Sequence, residues 1–281
     1  MEIIQEISLL RARIKEARSQ GKLVGLVPTM GCLHQGHLTL LAKARAENGL
    51  TVISIFVNPI QFGVGEDYEE YPRDLESDAV KVKEAGGHII FVPTVKEMYP
   101  QGYATFVDVE RLTAGLCGAS RPHHFRGVTT VVAKLFNIAT PDNAYFGQKD
   151  AQQALVIQRM VRDLNMNLAV HILPTVREAD GLAMSSRNSY LSPAERKSAL
   201  ILSQTLMQVA EKIQAGQRNP AAIQAFIVKE ISSEPLAAID YVSVIDTEEI
   251  RPIEKISGRT LIALAVRFGK TRLIDNIIVE V

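Results

Sequence analysis

His34 and His37 stand on either side of Gly36 in the stretch Pro28-Thr29-Met30-Gly31-Cys32-Leu33-His34-Gln35-Gly36-His37. Imidazoles three residues apart on a first helical turn can reach one ligand together. The run Lys22 to Val27 before them is apolar and of strand type, and Leu38 to Ala46 after them has helical period. The pair therefore sits at a strand-to-helix turn, where the free N–H groups of a helix start favour an anion such as phosphate. Gly36 has no Cβ, so a ligand can come close to the backbone. The same histidines could be polar surface residues, or could join Cys32 in a metal cluster. Cys-x-His-x-x-His lacks a nearby fourth ligand and matches no zinc spacing, whereas glycines on both sides of the turn favour phosphate contact.

Other stretches carry chemistry of the same kind. Asn58-Pro59-Ile60-Gln61-Phe62-Gly63 closes the strand-like run Thr51 to Val57, and loops at such carboxyl ends carry binding groups. Its plainer reading is an ordinary turn with a solvated Gln61. Ser120-Arg121-Pro122-His123-His124-Phe125-Arg126-Gly127 is dense in cations and imidazoles and opens onto a helix read as Val128 to Ala139. It is either a solvated loop or a phosphate or partner contact. Gly147-Gln148-Lys149-Asp150 is a further strand-to-helix turn, and Val176 to Asn188 is a loop.

The elements around these turns alternate. Ile3, Ile7, Leu10, Ile14 and Ala17 fall on one face of a helix read from Ile3 to Gln20. Leu75 to Ala85 is helical, His88 to Pro93 is a strand, and Thr105 to Val109 is read as a further strand. Ala144 to Phe146 is a strand, followed by a helix reaching about Leu164 and a strand from Leu168 to Pro174. This alternation predicts an α/β fold with a Rossmann-like, doubly wound parallel sheet. The pattern changes near Asn188. Ser192-Pro193-Ala194-Glu195 is a capping box opening a long helix that ends near Gly216, and a second helix runs from Pro220 to Ile231. The apolar runs Ile239 to Ile245, Thr260 to Val266 and Arg272 to Val281 read as a small antiparallel sheet. The expected division is a first domain over 1–186 and a smaller α+β domain over 187–281, hinged around Met184 to Asn188.

Composition narrows the function classes. Basic and acidic residues number 31 each, which speaks against a broad nucleic-acid surface. The apolar runs are too short to span a membrane. The mixed, acidic N-terminus resembles no leader, so the expected location is the cytoplasm. Two cysteines, Cys32 and Cys117, make no disulfide framework. Gly269-Lys270-Thr271 looks like the end of a phosphate-binding P-loop, but Leu264 stands where its first glycine belongs, so it reads as a hairpin turn.

His34-x-Gly36-His37 together with Met184-Ser185-Ser186-Arg187 resembles the HIGH and KMSKS-type signatures of the nucleotidyltransferase superfamily. The likeness sharpens with Pro28-Thr29-Met30-Gly31, Phe56-Val57-Asn58-Pro59-x-Gln61-Phe62, His124-Phe125-Arg126-Gly127-Val128, Phe146-Gly147-Gln148-Lys149-Asp150-x-Gln152-Gln153 and Arg272-Leu273-Ile274-Asp275-Asn276. From its first strand to its C-terminus the chain resembles the pantoate–β-alanine ligase family. The resemblance implies condensation of pantoate with β-alanine through a pantoyl-adenylate, ATP being cleaved to AMP and pyrophosphate. It implies that ATP is held by Met30, Gly31, Cys32, Leu33, His34, Gln35, Gly36 and His37, by Gly147, Gln148, Lys149 and Asp150, by Val176, and by Met184, Ser185, Ser186 and Arg187. His34, His37 and Lys149 are the implied catalytic groups, with His37 donating a hydrogen bond or proton. Gln61 and Gln153 are the implied holders of pantoate and β-alanine. Mg²⁺ is expected on the triphosphate with Asp78 as its ligand or water-holder, although Ser77 stands where the family often has an adjacent acid. A homodimer is also implied. No side-chain nucleophile is required, which leaves Cys32 as a packing residue. A nucleotidyltransferase acting on a phosphorylated substrate would have less use for two neutral amides. A regulator that binds nucleotide without turnover is separated by pyrophosphate exchange.

Overall fold

The computed structural model describes residues 1–281. The first six strands are β1 (Glu2–Ile4), β2 (Val24–Thr29), β3 (Leu50–Ile55), β4 (Ile89–Phe91), β5 (Asn143–Gly147) and β6 (Ala169–Leu173). They form one parallel sheet in the order β1-β4-β3-β2-β5-β6. The intervening helices are α1 (Ile7–Ser19), α2 (Gln35–Glu47), α3 (Leu75–Glu84), α4 (Val95–Met98), α5 (Cys117–Ser120), α6 (His124–Ala139) and α7 (Ala151–Asp163). Side chains alternate across the sheet with the strand period of two. Leu26, Val52, Phe91 and Phe146 pack against α1, α6 and α7, while Val27, Ile53, Ile90 and Tyr145 pack against α2 and α3. Both faces are therefore covered, as a parallel sheet requires. The chain goes to one side of β2 for β3 and β4 and returns on its other side with β5. That reversal leaves a crevice beyond the carboxyl ends of β2 and β5, and both phosphate-type turns lie there.

The C-terminal part holds α8 (Pro193–Ser198), α9 (Leu200–Gln214), α10 (Pro220–Ser232) and the antiparallel sheet of β7 (Ala237–Asp246), β8 (Arg259–Phe268) and β9 (Thr271–Glu280). Its core is separate from that of the parallel sheet, and Leu182 already belongs to it. The change of core thus comes inside the Val176–Asn188 loop. Ala151 and Leu155 of α7 pack on Ile245, Leu261 and Ala263, an apolar seam between the two parts. Gly269, at φ 56°, makes the turn between β8 and β9, as read.

Four local readings are corrected. Ile3 lies in strand β1 and not in the first helix, because Glu2 to Ile4 pair with Ile89 to Phe91. Thr105 to Val109 joins no sheet: the Val107 N–H donates to Thr130 Oγ1 (3.0 Å) and its carbonyl accepts from Thr129 Oγ1 (2.6 Å), so threonines of α6 replace a neighbouring strand. Helix α6 starts at His124 and not at Val128, behind the short α5. The long helix after Ser192 is two, α8 and α9, separated at Ala199.

Candidate active site

The turn after β2 is built around a buried carboxylate. Gly31 and Cys32 both take left-handed backbone angles, φ 88° and 50°. A Cβ on Gly31 would meet Ile55 Cγ2 at 2.9 Å, so only glycine fits there. Asp78 of α3, 1% exposed, accepts from the Cys32 N–H at 2.8 Å and the Leu33 N–H at 2.7 Å. Asp78 thus holds this turn from inside, one backbone N–H on each carboxylate oxygen. No group of three or more His, Cys, Asp or Glu side chains is placed to hold an ion.

The histidines cap α2 with each other. His34 N–H donates to His37 Nδ1 (3.3 Å), Gly36 N–H donates to His34 Nδ1 (3.2 Å), and the ring centroids are 4.1 Å apart. A Cβ on Gly36 would stand 2.9 Å from His34 Cε1, so this glycine makes room for the His34 imidazole. Since each Nδ1 accepts, the network puts the proton of each neutral ring on Nε2. Burial, then Lys149 among nearby charges, lowers His34 to about 4. Burial, then His34 and Lys149, lowers His37 to about 3. Near neutral pH these rings are Nε2–H donors. Backbone N–H groups of the turn are largely spent on Asp78 and the imidazoles, so the polar reach toward an anion passes to side chains.

The C-terminal part supports the other two turns. Asn276 Nδ2 donates to the carbonyls of Gln148 and Lys149, each at 3.0 Å, and Gln148 Nε2 donates to Asn276 Oδ1 at 3.3 Å. Arg177, beside Val176, makes a two-pronged pair with buried Asp275 at 2.7 and 2.9 Å. Asp275 and Asn276 of β9 thus fix both turns, which accounts for the late Arg272-to-Asn276 stretch. The signature loop folds on itself through Met184 N–H to the Val176 carbonyl (3.0 Å). Asn188 and Arg196 both bond to Glu178, at 2.7 and 2.6 Å, tying that loop to α8.

These turns enclose a cavity of about 220 Å³ lined by Met30, His34, Gly36, His37, Gln61, Gly147, Lys149, Asp150, Gln153, Val176, Met184, Ser185, Ser186 and Arg187. One wall is apolar: Phe56, Val128, Val131, Val132 and Leu135, which belong to one core cluster. A second hollow of about 580 Å³, reaching to β8 and β9, shares Lys149, Asp150, Gln153 and Arg187 with it. Five expected contacts lie outside the lining: Gly31, Cys32, Leu33, Gln35 and Gln148. Leu33 is core, Gly31 and Cys32 shape the turn, and Gln148 faces Asn276. Thr175 Oγ1, also in the lining residues, is buried without a hydrogen-bond partner.

Tyr71, which no sequence signal singled out, lines the cavity together with Arg121 and His124 of the stretch read as either a solvated loop or a phosphate or partner contact. Arg187 is paired through Nε and Nη2 with Asp67 at 3.0 Å each, which leaves Nη1 free of that pair. Arg121 is paired in the same way with the neighbouring Glu66, both bonds 2.6 Å, and its Nη1 donates to His124 Nε2 at 3.1 Å. Tyr71 Oη lies 3.2 Å from Ser186 Oγ. The loop carrying Glu66 and Asp67 gave no periodic signal, and its partners lie 55 and 120 residues away.

A sequence model of the family described as pantoate-beta-alanine ligase matches residues 2–278. The pantothenate synthetase of Heliobacterium modesticaldum is 59% identical over 281 residues, 100% of both chains. Among solved structures, pantothenate synthetase from Thermus thermophilus superposes with a TM-score of 0.94 at 47% identity, covering 99% of each chain. Pantoate-beta-alanine ligase from Francisella tularensis, complexed with beta-gamma ATP and beta-alanine, gives 0.81 at 33% identity, covering 99% of this chain and 97% of that one.

Proposed function

The chain belongs to the pantoate–β-alanine ligase family, whose ATP-dependent condensation makes pantothenate, and we propose that its crevice first converts pantoate to pantoyl-adenylate. The observation that carries this reading is the convergence on one cavity of phosphate-type donors and neutral amides. The donors are His34, His37, Lys149 and the Ser185–Arg187 loop; the amides are Gln61 and Gln153, set against an apolar wall. A branched hydroxy acid matches amides beside apolar side chains, and a polyanion matches the donors.

A carboxylate oxygen of pantoate attacks the α-phosphorus. The bond from that phosphorus to the bridging oxygen breaks, and pyrophosphate leaves with the charge. Nε2–H of His34 and His37, the Lys149 ammonium and Arg187 Nη1 meet that charge by positioning and electrostatics. His37 serves as a hydrogen-bond donor, since burial keeps its ring neutral. The β-alanine amine then attacks the acyl carbon, the acyl C–O bond breaks, and AMP departs. Met30, Gly147, Val176 and Met184 line the ATP side of this reading; Gly31, Cys32 and Leu33 serve it through the Asp78-held turn. ATP enters as its Mg²⁺ complex, the ion being carried by the phosphates. A homodimer in the cytoplasm completes the reading. Its support is the family resemblance, and no helix is long and apolar enough to cross a membrane. Light scattering at twice the 30.9 kDa chain mass tests the dimer.

Pyrophosphate exchange tests the mechanism. Pantoate alone supports exchange of labelled pyrophosphate into ATP; a strict need for β-alanine would overturn the two-step reading.

A further inference from the structure

Gln61 is held from two directions. Its backbone carbonyl accepts from His124 Nδ1 at 2.8 Å. Gly127 packs so close that a Cβ there would lie 2.5 Å from the Ile60 carbonyl oxygen and 2.6 Å from Gln61 Cα. The side chain is oriented separately. Asn58, 1% exposed, donates from Nδ2 to Gln61 Oε1 at 3.0 Å and to the Gly127 carbonyl at 3.1 Å. Asn58 Oδ1 in turn accepts from Tyr99 Oη at 2.8 Å. An amide has one acceptor end and one donor end. With Oε1 held by Asn58, the orientation of the Gln61 amide is fixed and its Nε2 hydrogens are the donors offered to the cavity. Nε2 now lies 3.1 Å from Met30 Sδ, a weak acceptor that a hydroxyl or carboxylate oxygen can replace.

We propose that Tyr99 is a positioning residue for the hydroxy-acid substrate: its hydroxyl fixes Asn58, and Asn58 fixes Gln61 as a donor. This rests on the reading that Gln61 holds pantoate. Tyr99 does not line the cavity, so it acts on substrate only through this relay. Its ring packs near Phe56 and Tyr103, with centroids 6.2 and 5.0 Å away, and Lys134 Nζ lies 5.7 Å from the ring centroid. Removing the hydroxyl leaves that packing intact and deprives a buried amide oxygen of its donor.

The test is pantoate-dependent pyrophosphate exchange by Tyr99→Phe, Gln61→Ala and the double variant. Tyr99→Phe raises the pantoate KM roughly three- to tenfold, the effect of losing one orienting hydrogen bond. The ATP KM stays within about twofold, and Tyr99→Phe has no further effect on the pantoate KM in the Gln61→Ala background. Tyr103→Phe, a control in the same aromatic group, leaves both constants unchanged. Gln61→Glu keeps the bond from Asn58 but removes the donor, and it raises the pantoate KM above that of Gln61→Ala. An unchanged pantoate KM in Tyr99→Phe, an equal effect in both backgrounds, or a Gln61→Glu no worse than Gln61→Ala overturns the relay. If Gln61→Ala itself leaves the pantoate KM unmoved, the pantoate-site reading fails first.

Discussion

Asp78→Asn separates two roles for one carboxylate. In the fold it accepts from the N–H groups of Cys32 and Leu33 at 2.8 and 2.7 Å, beneath a turn in which Gly31 and Cys32 take left-handed angles. Asparagine keeps the shape but turns one oxygen into an N–H group facing a backbone N–H. Losing one hydrogen bond to a charged acceptor costs about 1.5–3 kcal/mol, and the stranded buried donor adds about 1–3 kcal/mol. Allowing for overlap, the destabilisation is about 3–5 kcal/mol. For a chain of this size about 2–4 °C of Tm is lost per kcal/mol, so the melting temperature falls about 6–20 °C. Because the turn carries His34 and His37, pantoate-dependent exchange slows as well. Calorimetry gives the first effect, and a Mg²⁺ titration of the exchange rate gives its discriminating partner. The Mg²⁺ midpoint stays where it is in the parent enzyme. An unchanged Tm with a Mg²⁺ requirement raised about tenfold would refute the reasoning and return Asp78 to the metal.

Lys149→Ala slows adenylation about a hundredfold, roughly 3 kcal/mol of transition-state stabilisation, and leaves amine attack on preformed pantoyl-adenylate nearly unchanged; rapid-quench measurement of both half-reactions checks this, and equal slowing contradicts it. Gln153→Ala raises the pantoate KM and leaves the ATP KM within about twofold, as one lost neutral hydrogen bond would; a mainly ATP-directed defect in steady-state kinetics contradicts the assignment. Burial holds His34, His37 and His124 near 4, 3 and 4, below the usual 6.5. The unfolded chain takes up those protons first as pH falls, so their contribution to stability is complete above about 6.5 and is lost as pH falls toward about 3. Tm measured over that window falls with pH, and His37→Gln shows a shallower fall; an equal or steeper fall contradicts the burial of a neutral ring.

The parallel sheet was legible because buried strands such as Val24 to Val27 and Thr51 to Ile55 are nearly continuous apolar runs between helical periods. The three-residue β1 was not, because Ile3 continues the spacing of Ile7, Leu10 and Ile14. Thr105 to Val109 has strand-like chemistry, and only the hydroxyls of Thr129 and Thr130 decide its fate. The site divides in the same way. His34, His37, Lys149 and Ser185–Arg187 sit in local motifs at element ends, so type and spacing find them. The contribution of Asp78 to Cys32 spans 46 residues, and that of Glu66 to Arg121 spans 55. Such pairings are set by tertiary packing and leave no periodic trace. Sequence reading took the N–H groups of this turn as free for phosphate, yet those of Cys32 and Leu33 go to Asp78 and those of His34 and Gly36 go to the imidazoles.

The central claim is attack of a pantoate carboxylate oxygen on the α-phosphorus, with the His34/His37 turn and the Ser185–Arg187 loop holding pyrophosphate as leaving group. Turnover of carboxylate-¹⁸O pantoate with ATP and β-alanine, followed by mass analysis of the nucleotide product, tests it directly. The account predicts AMP carrying one pantoate oxygen, because the acyl C–O bond is the one that breaks when the amine attacks. Unlabelled AMP, or ADP with labelled inorganic phosphate, would contradict both the intermediate and the assignment of the two phosphate-holding turns.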